Sequence, residues 1–117
     1  MKLYGIPNCN TVKKAIDWLK ANNISFEFHD YKKLGISREK LQQWTAGVGW
    51  EKLVNKKGTT WRTLSTDEQT AIKNEKTAIA LMMDKNSVIK RPVIETGKQL
   101  LVGFVEAEYK HIFSEKK

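Results

Sequence analysis

The chain has 117 residues, 40% of them apolar and four of them Trp, which fits one folded domain, residues 1–117, with a real core. It has no eighteen-residue apolar run and no apolar leader, so neither a membrane span nor a signal peptide is expected. The net charge of +8 rests on 18 Lys and only three Arg, Arg38, Arg62 and Arg91, with the lysines scattered as on a solvated face.

In chain order, Lys2 to Ile6 reads as a short strand, broken by Pro7 and Asn8. Val12, Ala15, Ile16 and Leu19 then recur at helical spacing, and Asn22-Asn23 should end that helix. Ile24 to Tyr31 alternates apolar and polar side chains, as a second strand does. A strand, a helix and a strand pack most naturally as a parallel pair with a crossover helix.

The middle, about residues 35–88, reads as a helical insert. Ser37 opens a helix carrying Leu41 and Trp44 on one face, with Gly47 as its stop. A short helix starts at Trp50, and "NKKGTTWRTL" reads as a loop. Ser65 and Glu68 have the spacing of a capping box, which starts another helix. Ile79, Met82 and Met83 mark a further helix that ends near Asp84-Lys85-Asn86; methionines at that spacing are core packing.

The end returns to strands, Val93 to Glu95 and Gln99 to Val102, around Thr96-Gly97-Lys98, followed by a helix using Val105, Tyr109 and Ile112. The order βαβ, helical insert, ββα around one mixed four-stranded sheet is the α/β thioredoxin-like (glutaredoxin-like) pattern.

The chemistry centres on Cys9, the only cysteine. A single thiol forms no internal disulfide, which fits a reducing, cytoplasmic setting. If the first helix starts at Asn10 or Thr11, free backbone N–H groups and the positive end of the helix dipole face the sulfur. At an ordinary pKa near 8.5 only about 3% of a thiol is ionised at pH 7; a value of roughly 6 would make it about 90% thiolate. Its polar neighbours Asn8, Asn10 and Thr11 argue against burial in the core and would support the site. The same amides could hold an oxyanion.

Spacing removes several alternatives. Position 12 is Val12, so there is no C-x-x-C redox pair, and position 15 is Ala15, so there is no C-x5-R phosphatase loop. Cys9 with His29 and His111 is too small a set for a structural zinc site, and no metal is expected. Among the arginines, Arg91 precedes Pro92 at a strand entry, where an X-Pro bond can be cis, and Arg62 follows Trp61 in "TTWRTL". Both are candidates to stabilise a thiolate or clamp an anion; Arg38 reads as a surface residue.

The segments "YGIPNCNTVKKAIDWL", "TTWRTL", "IKRPVI" and "LLVGF" together resemble the glutaredoxin-like arsenate reductase (ArsC) family, which includes the Spx regulators, and most of all its YffB-like branch. The resemblance runs over about residues 2 to 113. It implies that Cys9 is the nucleophile, that Arg62 and Arg91 are the anion-binding arginines, and that Pro92 is the cis-proline. It further implies an enzyme, an oxidoreductase with no permanently bound cofactor, that attacks a disulfide or an arsenate-like oxyanion. Its co-substrate would be glutathione, with a glutaredoxin as a further partner. Arsenate reductases of this type carry another arginine near the position of Gly103, and no arginine follows Arg91 here. Lys98 is not an obvious replacement, which leaves an oxyanion site one cation short. The alternative expectation is an Spx-like protein that binds RNA polymerase without chemistry. Direct nucleic-acid binding has only charge behind it, because the aromatic residues are not interleaved with basic ones.

Overall fold

The computed structural model describes residues 1–97 and 99–114. Four strands form one sheet: β1 (Lys2–Gly5), β2 (Glu27–Asp30), β3 (Val93–Glu95) and β4 (Leu100–Val102), in the order β2-β1-β3-β4. β1 runs parallel to β2, with Leu3 opposite Phe28, and antiparallel to β3, with Leu3 opposite Ile94. β3 and β4 are antiparallel, Ile94 opposite Leu101. This is the mixed α/β sheet of the thioredoxin-like pattern. The turn residue Lys98 lies outside the described residues.

Side-chain alternation divides the core between the two faces. Leu3, Ile94 and Leu101 point to one face and meet Val12, Ala15 and Leu19 of α1 (Asn10–Ala21) and Tyr109 and Phe113 of α8 (Glu106–Ser114). Tyr4, Val93 and Val102 point to the other face. The helices between β2 and β3 are α2 (Tyr31–Leu34), α3 (Arg38–Val48), α4 (Trp50–Leu53), α5 (Thr59–Arg62), α6 (Thr66–Ala71) and α7 (Glu75–Asp84), and all but α6 add buried residues to this layer. Leu41 and Trp44 of α3 and Met82 of α7 are fully or almost fully buried in this layer. Capping explains several of the boundaries. Ser37 accepts from the Lys40 amide, and Ser65 and Glu68 close the expected capping box.

Three local expectations are corrected, the first a helix stop: α3 runs through Gly47 to Val48, with Gly49 as its C-cap. The second strand does not run from Ile24 to Tyr31: it covers Glu27–Asp30, and Tyr31 begins α2. Asp30 turns the chain, because its carboxylate accepts from the amides of Lys32 and Lys33. The stretch "NKKGTTWRTL" is not all loop, since Thr59–Arg62 form one helical turn with Trp61 buried beneath it. After α7 a 3-10 turn, Asn86–Val88, follows directly and brings the chain back toward β3. The first strand fits closely against the helix it feeds. A Cβ added at Gly5 would lie 3.0 Å from a methyl of Val12, a tight contact that Val12 would have to yield to, so glycine eases the close approach of β1 and α1.

Candidate functional site

β1 delivers the chain to Ile6-Pro7-Asn8, and Cys9 follows in extended conformation (φ −141°, ψ 122°) as the N-cap of α1. Its carbonyl oxygen already accepts the first helical bond, from Lys13 N–H at 3.0 Å. The amides of Val12 and Thr11 pull on the sulfur electrostatically without closing a capping hydrogen bond. Cys9 is half-buried at the edge of the α1 layer. It opens onto a cleft of about 610 Å³ whose walls include Pro7, Val12, Lys13, Ile16 and Phe28.

The second half of the site comes from the other end of the chain. The Arg91–Pro92 peptide bond is cis, and Arg91 Nε donates to Cys9 Sγ at 3.4 Å. Arg91 Nη1 donates to the Ser87 carbonyl oxygen at 2.9 Å, so the 3-10 turn steadies the guanidinium. Partial burial pushes the Cys9 thiol up, but the Val12 amide, the Arg91 guanidinium and the Thr11 amide outweigh it and bring it below the ordinary thiol value. The arrangement therefore favours a thiolate held by one guanidinium and one helix terminus, with an open cleft beside it. Thiolate is the nucleophilic form of cysteine.

The remaining candidates divide. Pro92 is buried next to the site, and its carbonyl oxygen accepts from Gly103 N–H at 2.8 Å. Asn8, Asn10 and Thr11 are exposed, and among the described residues no side-chain hydrogen bond ties them to the sulfur. Arg62 is exposed on α5, and its guanidinium makes no hydrogen bond or ion pair among the described residues. Its helix does pack against the 3-10 turn that holds Arg91. Arg38 is exposed, as expected. The position expected to lack a cation, Gly103, has φ +81°, and a Cβ there would meet Lys90 Cε at 3.5 Å. Lys90 is thus the lysine passing that position, whereas Lys98 lies outside the described residues. No group of three or more His, Cys, Asp or Glu side chains converges as a metal site among the described residues.

One residue at the site had no sequence signal pointing to it. Tyr31 is fully buried, and its hydroxyl donates to the Ile89 carbonyl oxygen at 3.2 Å. Ile89, which accepts that proton, lies two residues before Arg91. Asn86 Nδ2 donates to the Tyr31 carbonyl oxygen at 3.0 Å, tying α2 to the same 3-10 turn.

Comparison with known proteins agrees with this fold. The model of the ArsC family matches residues 4–112. The solved structure of the YFFB (PA3664) protein is 45% identical, covering 94% of this chain and 96% of that one, with a TM-score of 0.89. The solution structure of an arsenate reductase (ArsC) related protein from Brucella melitensis is 43% identical over 96% of this chain and 92% of that one, with a TM-score of 0.77. The global transcriptional regulator Spx of Lactiplantibacillus plantarum is 27% identical, over 97% of this chain and 86% of its own length.

Proposed function

We propose a function from the premise that this chain belongs to the ArsC family: it is a cytosolic, single-cysteine thiol reductase that acts on glutathione mixed disulfides. The observation that carries this reading is the 3.4 Å contact from Arg91 Nε to Cys9 Sγ at the N-terminus of α1. Cys9 thiolate attacks the glutathione sulfur of a mixed disulfide. A bond forms between Sγ and that sulfur, the original S–S bond breaks, and the other thiolate leaves with the electron pair and is protonated by water. A second glutathione, as thiolate, then attacks the glutathione sulfur of the adduct. This releases Cys9 thiolate and forms glutathione disulfide. The net reaction consumes one mixed disulfide and one glutathione. It yields a free thiol and glutathione disulfide. The second thiol has to come from solution, because the chain has no other cysteine.

The surroundings of the sulfur favour a disulfide over an arsenate-like oxyanion. One guanidinium touches the sulfur, and Arg62 makes no contact there. An oxyanion carrying more than one charge is matched by several cations. The cleft on the open side is instead walled by Val12, Ile16 and Phe28, with the ammonium of Lys13 among them, which suits an organic thiol carrying a carboxylate. The Spx relative keeps binding to RNA polymerase in view as a second reading, but such binding has no need of a stabilised thiolate.

The test is turnover of a glutathione mixed disulfide, with arsenate as a parallel substrate. The intact chain is expected to reduce the disulfide, and Cys9→Ser is expected to lose the activity entirely. Full activity in Cys9→Ser, or Cys9 alkylation following the pH profile of a free thiol near 8.5, would refute the reading. Turnover of arsenate at the rate of the disulfide would overturn the choice of substrate.

A further inference from the structure

Lysines scattered over a surface say little, but two cations on one uncharged residue are a different matter. Ser87, in the 3-10 turn, accepts from both. Arg91 Nη1 donates to its carbonyl oxygen at 2.9 Å, and Lys32 Nζ donates to its hydroxyl at 2.6 Å. The two side chains come from opposite ends of the insert, Lys32 from α2 and Arg91 from the entry to β3. α2 is fastened to the same turn, since Asn86 Nδ2 donates to the Tyr31 carbonyl oxygen at 3.0 Å. Bringing two like charges together costs Coulomb energy unless an anion meets them. Among the described residues no carboxylate forms an ion pair with either. Asp30, the acid nearest to Lys32 along the chain, gives its Oδ1 to the amides of Lys32 and Lys33. Both cations keep donors in reserve. An ammonium has three and a guanidinium five, of which these contacts and the one to the sulfur use one and two.

We infer that Lys32 and Arg91, set side by side on Ser87, form a carboxylate subsite for the substrate that Cys9 attacks, and that Lys32 is a substrate-binding residue. The inference rests on the disulfide reductase reading given above and names an anchor for its substrate. Arg91 Nε lies 3.4 Å from Cys9 Sγ, whereas Lys32 hydrogen-bonds to the turn and not to the sulfur. A carboxylate held between the two cations therefore stands beside the nucleophile rather than on it. That suits a carboxylate carried on an arm of the disulfide, not an oxyanion that the sulfur itself attacks. Glutathione carries two carboxylates. Lys13, in the wall of the cleft that opens at Cys9, is placed to meet the second. The preferred thiol is thus one with two separated carboxylates.

The probe is S-methylglutathione, whose blocked sulfur cannot react with Cys9, titrated into the full chain and followed by calorimetry. The unaltered chain is expected to bind it. Lys32→Met keeps the aliphatic stem and removes the charge. It is expected to weaken binding about tenfold, the effect of one charge-assisted hydrogen bond. Lys32→Arg is expected to restore most of that loss. The diethyl ester of the probe, which has no carboxylate, is expected to bind the unaltered chain and Lys32→Met equally weakly. Cys9 alkylation by iodoacetamide should keep its pH profile in Lys32→Met, because Arg91 and the helix terminus are untouched. Lack of binding by the unaltered chain, unchanged binding in Lys32→Met, or an equal loss for the ester would each overturn the inference. A moved alkylation profile would overturn it too, since Lys32 would then act through the turn and not on the ligand. Absence of disulfide turnover by a chain that binds the probe in this way would overturn the reductase reading instead.

Discussion

Two half-buried acidic groups lie at opposite ends of the sheet, and the molecule treats them differently. At the end where β1 begins, Glu95 is met by three side-chain donors: Tyr4 Oη at 2.9 Å, Lys40 Nζ at 2.9 Å and Trp44 Nε1 at 3.0 Å. At the end where β1 stops, Cys9 has one side-chain donor, Arg91, and a cleft in front of it. Both groups sit below their ordinary pKa, since partial burial is outweighed by the donors around each. The difference lies in saturation. A carboxylate held by three donors from α3 and β1 joins the insert to the sheet. An anion with most of its coordination open can attack.

The comparison can be broken by removing each anion and reading both stability and reactivity. Glu95→Ala has the largest expected effect on stability. It strands the Tyr4 hydroxyl and the Trp44 indole N–H, on residues only 3% and 2% exposed, and should cost about 3 kcal/mol. Chemical denaturation would measure that loss, while Cys9 alkylation should keep its pH profile. A profile that moves with Glu95→Ala would mean that the two ends are coupled.

The pH dependence sharpens the contrast. A group whose pKa is depressed on folding adds stability that is complete above its unfolded pKa. That contribution is lost as pH falls through the folded value. For Glu95 the loss begins only below about pH 4.3. For Cys9 it begins below about pH 8.5. The stability difference between the chain and Cys9→Ser should therefore shrink from pH 9 to pH 6, whereas that between the chain and Glu95→Gln should hold constant over the same range. Denaturation curves at the two pH values check both. Arg62→Gln has the smallest expected effect. With no contact to the sulfur, it should change Cys9 alkylation by less than about twofold and stability by less than about 0.5 kcal/mol. A tenfold loss of disulfide turnover with unchanged alkylation would instead show that Arg62 meets the substrate.

The contrast also shows which features were legible along the chain. Cys9 at a helix start and Arg91 before a proline are local patterns, and their meeting follows from the strand order. Tyr31 was hidden because the strand-like alternation of Ile24, Phe26 and Phe28 stops just before it, with no break residue such as Gly or Pro to mark the turn. The turn is made by Asp30, whose carboxylate caps amides that could as easily have continued the strand. Glu95 was legible as a strand residue but not as an anchor, since Lys40 and Trp44 reach it from 55 and 51 positions away. Arg62 drew attention through its neighbour Trp61. Trp61 is the one that turns inward, under the Lys56 ammonium at 5.5 Å from its ring, which leaves the guanidinium outside.

The sulfur and the guanidinium stand 82 positions apart in the chain. They become neighbours only when β1 and β3 have paired. The chain therefore carries its own folding gauge: the pH profile for labelling its sole thiol should move to that of a free thiol in molecules whose two halves have come apart.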